Sequence, residues 1–157
     1  MIFLRPFNIN DKNRLYEIKS NPLNFNKKFT NFDTTNVTIE SIENFILNII
    51  NETNAIRLAI CIKPNNILIG CITIGEINYI KSCCEIHIYI DINYQSKGYG
   101  KSSLECLIEY IHNILKLKTI KLKVHKEHVK AFFLYKKLGF VNTNKINNEF
   151  IDMHLKI

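Results

Sequence analysis

The sequence predicts an α/β fold, a mixed sheet flanked by helices, and three observations carry that expectation. Residues 84–91 alternate strictly, with Ile86, Ile88 and Ile90 on one side and Glu85, His87 and Tyr89 on the other; a period of two is that of a strand with unlike faces. Leu104, Leu107, Ile108, Ile111, Ile114 and Leu115 recur at helical spacing. Gly98 and Gly100 lie between these segments, and Thr119–His125 alternates again beyond the helix. A strand, a Gly-rich turn, a helix and a second strand require a crossover, and hence some parallel pairing.

The other elements follow in order. Ile2–Arg5 is a short apolar strand ended by Pro6. Asn10 and Asp11 cap a helix running to about Ser20, with Leu15 and Ile18 on one face. Asn21–Asn36 is rich in Asn, contains Pro22 and lacks periodicity, so it reads as a loop or a short irregular helix. Thr38 caps a second helix carrying Ile42, Phe45, Ile46, Ile49 and Ile50. Ile56–Ile62 and Ile67–Ile74 are apolar and rich in β-branched residues, and Lys63-Pro64-Asn65-Asn66 supplies a turn between them. Lys130–Leu138 reads as a helix stopped by Gly139. Phe140–Val141 and Glu149–Ile157 close the chain as strands. The predicted order is β-α-α-β-β-β-α-β-α-β-β.

A length of 157 residues suits one domain. No apolar run reaches the roughly 18 residues of a membrane span, and the N-terminus does not have the pattern of a secretory signal, so a cytoplasmic protein is expected. The five cysteines are odd in number and form no Cys-x-x-Cys pair. Neither a disulfide framework nor a metal site is expected, and all five read as small buried hydrophobes. The formal charge of +7 favours anionic partners. No dense basic tract with interleaved aromatics appears, so a nucleic-acid-binding module is the least favoured reading.

The segment with chemical content is Asp91-Ile92-Asn93-Tyr94-Gln95-Ser96-Lys97-Gly98-Tyr99-Gly100-Lys101. A helix that starts here presents backbone N–H groups without intrahelical partners, at the positive end of its dipole. Glycines let an anion approach that backbone, which makes a phosphate cradle with charge from Lys97 and Lys101. The alternative is a tight strand-to-helix turn and nothing more. The spacing fits neither a dinucleotide-binding fingerprint nor a nucleoside-triphosphate loop. Downstream, Ala131-Phe132-Phe133-Leu134-Tyr135-Lys136-Lys137-Leu138-Gly139-Phe140 is an apolar helix carrying a tyrosine. Taken alone, Tyr135 is as well read as core packing.

Together, Gln-x-x-Gly-x-Gly opening a helix and Ala-x-x-Leu-Tyr-x-x-Leu-Gly-Phe about thirty residues later resemble the GNAT N-acetyltransferases. Leu4-Arg5-Pro6 and the Glu85–Asp91 strand extend the resemblance over most of the chain. Within the superfamily the chain resembles most the branch of ribosomal-protein-alanine and spermidine N-acetyltransferases. The resemblance implies a mixed, mostly antiparallel sheet of about seven strands with a splayed parallel pair, flanked by about four helices. It implies acetyl-CoA as cofactor, an amine acceptor (a peptide N-terminus or a small amine such as a polyamine), no membrane partner, and leaves a homodimer open. Backbone groups of Ile88, Tyr89 and Ile90 would bind pantetheine and the acetyl carbonyl, Ser96, Lys97, Gly98, Tyr99, Gly100 and Lys101 the pyrophosphate, and Gln95 would shape the loop. Tyr135 would protonate the leaving thiolate. Glu85 would act as base, with His87 and His125 as rivals and simple water access as a further option. His128, ahead of Ala131, stands where the family usually has an asparagine that contacts the cofactor. Lys123 stands where one branch has a glutamate base. The alternative to an enzyme is a non-catalytic acyl-CoA-binding domain that keeps the cradle.

Overall fold

The computed structural model describes residues 1–146 and 149–157. Strands β1 (Ile2–Pro6), β2 (Ile56–Ile62), β3 (Ile67–Asn78), β4 (Cys83–Ile90), β5 (Thr119–His125), β6 (Val141–Ile146) and β7 (Phe150–Lys156) form one sheet. Its order is β1-β2-β3-β4-β5-β7-β6. Neighbours are antiparallel except β4 and β5, which run parallel. The helices are α1 (Lys12–Ser20), α2 (Ile39–Ile50), α3 (Tyr99–Tyr110) and α4 (Val129–Lys137). The expected count, order and single parallel pair are all present.

Two cores sit on opposite faces of the sheet. Ile60, Ile72, Ile74, Ile86 and Ile90 meet Leu104, Leu107 and Ile111 of the α3 segment, with Phe132, Leu134 and Tyr135 of α4 packed against them. Ala59, Cys61 and Cys71 meet Leu15 and Ile18 of α1 and Ile42 and Ile46 of α2 on the other face. Period-two alternation thus delivers each strand's two apolar sets to two separate helix pairs.

Some boundaries differ from the sequence reading. Asp11 stands at the N-cap position of α1, but its side chain makes no capping bond there. Asn8 caps a short 3-10 turn at Ile9–Asp11, and Asp11 turns back to accept from the Asn8 N–H at 2.9 Å while taking two bonds from Arg5. A charge-paired aspartate is better placed inside this box than at the next cap. β3 runs on to Asn78, past a bulge between Gly75 and Asn78, because it pairs with β4 beyond the end of β2. β6 runs from Val141 to Ile146, where a strand ending at Val141 was expected. Thr38 caps α2 as anticipated, accepting from Ser41 N at 3.0 Å. Four of the cysteines are buried, but Cys106 is exposed, since it falls outside the apolar stripe of α3. Burial raises the thiol pKa of Cys71 to about 11 and of Cys84 to about 12, which keeps both inert.

Gly70 sets how closely β3 approaches β4. A Cβ there would stand 2.2 Å from Tyr89 O and 3.0 Å from Ile90 Cα. Gly70→Ala is expected to destabilise the protein by about 1–3 kcal/mol, the usual cost of an overpacked site. A urea titration checks this; an unchanged midpoint would show that the two strands part here without cost.

Candidate active site

The site begins where pairing stops. β4 and β5 are joined at Cys83–Thr119, Cys84–Ile120 and Glu85–Lys121, and at no later rung. Beyond Glu85, β4 continues with β3 alone and β5 with β7 alone. Two parallel strands that separate leave a wedge with a free strand edge on its β4 side.

Register decides which groups face that wedge. Asp91 N donates to Ile69 O at 2.8 Å, so residues 69 and 91 form a hydrogen-bonded pair. Antiparallel pairs alternate, and Ile88 lies opposite Ile72 and Ile90 opposite Gly70. The N–H and C=O of Ile88 and Ile90 therefore point away from β3, into the wedge, while Ile86, on the same side, closes the last rung with β5. Those of Tyr89 point to β3, opposite Cys71. Of the three expected main-chain contacts, Ile88 and Ile90 are available and Tyr89 is spent in the sheet. One group of Ile90 is also engaged, since Gln95 Nε2 donates to its carbonyl at 2.8 Å. Gln95 thus shapes the loop by tying it to the end of β4.

The turn after Gln95 is built for exposed amides. Ser96 has φ 60° and Gly98 φ 84°, both left-handed, and Gly98 is the N-cap of α3 with no side chain to satisfy the first turn. The first helical bond from this turn is Ser102 N to Gly98 O at 3.1 Å. Among the described residues, the amides from Ser96 to Lys101 have no protein acceptor. No acidic residue lies in the first turn. A Cβ at Gly98 would meet nothing within 4 Å, whereas one at Gly100 would meet Leu134 Cδ2 at 3.4 Å and Ile90 Cδ1 at 3.7 Å. A Cβ at Gly100 would thus make ordinary contact with α4 and the end of β4, which lie close to the turn. Both lysines are partly committed: Lys97 Nζ donates to Asn93 O at 2.8 Å, and Lys101 Nζ pairs with Glu105 at 3.0 Å. Tyr99 is half-buried and packs on the core beneath.

Tyr135 and Glu85 approach the wedge from opposite faces. Tyr135 packs on the cluster shared by Ile86, Ile90, Leu122 and Val124, with its ring 5.8 Å from Phe140. Its hydroxyl has no protein partner among the described residues and is not sealed from solvent. Burial raises its pKa to about 12, so it stays a proton donor at neutral pH. Glu85 lies on the other face at the last joined rung, half-buried, with Oε1 3.4 Å from His87 Nε2. His87 is largely exposed. His125 is buried, and its Nδ1 accepts from Glu127 N at 3.2 Å. Lys123 is exposed on β5.

His128 has a structural task in addition to its expected place at the site. It is the N-cap of α4, with Nδ1 accepting from Ala131 N at 3.4 Å. Ala131 itself packs against the core. Accepting requires a neutral ring, and burial lowers the His128 pKa in the same direction.

Three features escaped the sequence reading. Phe25, Phe29 and Phe32, from the segment between α1 and α2, cross the sheet above the wedge. Phe25 lies 5.3 Å from the Tyr89 ring on the β4 side, and Phe29 lies 5.2 Å from His125 and 4.4 Å from His128 on the β5 side. Asn24 donates to Ile18 O at 2.9 Å and accepts from Ile92 N at 2.6 Å, joining that segment to the approach of the Gly turn. Arg14 of α1 pairs with buried Asp91 and donates to Leu68 O at 3.0 Å. The phenylalanines are spaced i, i+4, i+7, but the Asn-rich segment around them forms no α-helix, so the spacing does not report their partners; the Asn24 and Arg14 bonds join residues far apart in sequence.

A neutral His128 cap gives a pH dependence. A folded pKa below the unfolded value of about 6.5 contributes stability that is complete above pH 6.5 and is lost as pH falls through the folded pKa. Thermal melts should show this loss as pH falls below about 6.5 in the wild type and its reduction in His128→Asn, which keeps a capping side chain. Identical pH profiles for the two proteins would remove the cap assignment.

Comparison with known proteins gives the same frame. The chain is 35% identical over 97 residues to a spermidine N(1)-acetyltransferase of Vibrio cholerae, covering 62% of this chain and 56% of that one. It is 33% identical over 81 residues to the spermidine N(1)-acetyltransferase of Escherichia coli K12, covering 52% and 44%. The chain thus spans about half the length of these curated relatives. The crystal structure of the Vibrio cholerae spermidine N-acetyltransferase in complex with CoA and spermine shares the fold, with a TM-score of 0.83 at 24% identity over 99% of this chain and 95% of that one. A probable acetyltransferase superposes with a TM-score of 0.86 at 17% identity, over 99% and 92%. The GNAT acetyltransferase domain model matches residues 2–141. With the parallel pair splayed, the helix-opening turn beside it and the family model matched over most of its length, the chain belongs to the GNAT acetyltransferase domain family.

Proposed function

We propose that the protein is an acetyl-CoA-dependent N-acetyltransferase that transfers the acetyl group directly to a primary amine, with polyamines the favoured acceptor class. The observation that carries this reading is the convergence of the unpartnered amides of residues 96–101 with the free β4 edge at Ile88 and Ile90. A diphosphate suits the first and an amide-bearing arm suits the second, and acetyl-CoA has both in that order. The polyamine preference is supported by the spermidine acetyltransferase relatives.

Acetyl-CoA would supply an acetyl thioester at the closed end of the wedge. The Ile88 N–H is oriented to hydrogen-bond the acetyl carbonyl oxygen and to stabilise the charge that develops on it. Glu85, or water reached through it, takes the proton of the incoming ammonium from the α1–α2 face. The freed amine would displace the thiol from the acetyl group, and the second proton its nitrogen loses as the amide forms would replace, through water, the proton that Tyr135 gives up. Tyr135 delivers its proton to the sulfur from the α3–α4 face. Base and acid on opposite faces suit a direct transfer, because nucleophile and leaving group need not share one side. The buried thiols of Cys71 and Cys84 are inert and serve no nucleophilic role here.

Two measurements test the reading. Gly98→Glu and Gly100→Glu place a carboxylate against phosphates and should abolish CoA binding by isothermal titration; affinity retained in both folded variants would show that the turn is not the cradle. Tyr135→Phe should lower kcat about 100-fold or more, with little change in CoA affinity. Wild-type kcat should not fall between pH 7 and 10 through loss of the Tyr135 proton, since that pKa is raised to about 12. An unchanged kcat in Tyr135→Phe would remove its acid role.

A further inference from the structure

Lys19 is a half-buried cation that the transfer chemistry does not use. It projects from α1 on the acceptor side of the sheet, with Nζ 3.6 Å from the centroid of the Phe45 ring and 5.4 Å from that of Phe32. Both distances lie within the range in which a ring face attracts an ammonium. Among the described residues, no carboxylate pairs with Lys19 and none of its three donors finds a protein acceptor; Cys71 and Arg57 are the ionisable groups that act on it. Arg57 also lies over Phe45, at 5.9 Å, but it is held by Glu52 through bonds of 2.8 and 3.1 Å.

The rings around Lys19 extend toward the wedge. The Phe32 and Phe25 rings lie 4.5 Å apart, tilted by 40°, and the Phe25 and Tyr89 rings 5.3 Å apart, tilted by 58°. All are half-buried, so a row of rings leads from the wedge edge at β4 to the Lys19 ammonium. Such a row suits an acceptor with an alkyl chain between two amines, one at the wedge and one at the far rings.

We propose that Phe32 and Phe45 form a subsite for the distal ammonium of the acceptor, and that Lys19 fills it in the free protein as a built-in competitor. The inference rests on the N-acetyltransferase reading and deepens it. An acceptor with a second ammonium displaces Lys19 toward solvent, whereas a monoamine does not reach it. Lys19 therefore sets the affinity for di- and polyamines without touching the reacting atoms.

The test compares full-length wild type, Lys19→Met and the double variant Lys19→Met/Phe45→Leu. Methionine keeps an apolar stem in place of the lysine's. The acceptors are butylamine, spermidine and γ-aminobutyrate. Lys19→Met should lower the KM for spermidine about fivefold to tenfold, leave butylamine unchanged, and lose the gain when Phe45→Leu is added. A spermidine-to-butylamine KM ratio equal to that of the wild type would overturn the subsite. A raised KM for γ-aminobutyrate alone would overturn it too, because Lys19 would then be a carboxylate anchor. Titrating spermidine into the same proteins saturated with CoA reads the subsite without turnover. A binding gain with no acetylation of any amine would keep the subsite and discard the transferase reading. Wild-type NMR gives a check that needs no variant: the ring-shifted Lys19 Cε–H signals should move toward ordinary lysine values as spermidine is added, and signals that stay fixed would overturn displacement.

Discussion

The arrangement of the molecule follows from the early end of one pairing. β4 and β5 run parallel for three rungs and then part. A strand whose outer edge is released in the middle of a sheet keeps donors and acceptors that the protein does not consume. Here the alternation set by β3 turns the groups of Ile88 and Ile90 to that edge and leaves those of Tyr89 in the ladder. The same residues send their side chains to the core under α3 and α4, while Glu85, His87 and Tyr89 face α1 and α2. One strand thus presents main chain to the wedge, apolar side chains to one helix pair and polar or aromatic ones to the other.

The second constraint is conformational. The chain must turn from β4 into α3 without spending the amides of the new helix. Left-handed backbone at Ser96 and Gly98 does this, and the absence of an acidic cap leaves the positive helix end uncompensated. Gln95 stabilises the turn from below by bonding Ile90 O. The lysines of the turn are largely held by Asn93 O and Glu105, so its unpartnered donors are main-chain amides more than side-chain charges.

Much of this was legible in the sequence, for identifiable reasons. Strict alternation at 84–91 fixed both faces of β4, and the Gly98-Tyr99-Gly100 turn marked the helix start. The exit of α4 at Gly139 follows from its φ of 94°. The Tyr89 main-chain contact did not hold, because hydrogen-bond phase along a strand depends on the partner's register, which no local pattern records. Asp11 takes the N-cap position of α1, but its carboxylate is bound by Arg5 and Asn8 instead of the α1 amides. The Asn21–Asn36 segment read as a loop with little content. Its Asn and Asp side chains do form local turns, at Asn21, Asn26 and Asp33. Its phenylalanines share one face by their spacing of four and three, and they find partners on β4, β5 and the N-cap of α4 that only the tertiary fold supplies.

Asn24 carries a consequence of its own. It belongs to the segment between α1 and α2, yet its amide oxygen holds Ile92 N, on the approach to the Gly turn. Arg14 makes the parallel tie between α1 and Asp91. Grafting a foreign sequence between α1 and α2 would cut the first of these tethers. Such chimeras would inherit a slackened entry into the Gly turn along with their new loop, unless position 24 keeps its carboxamide.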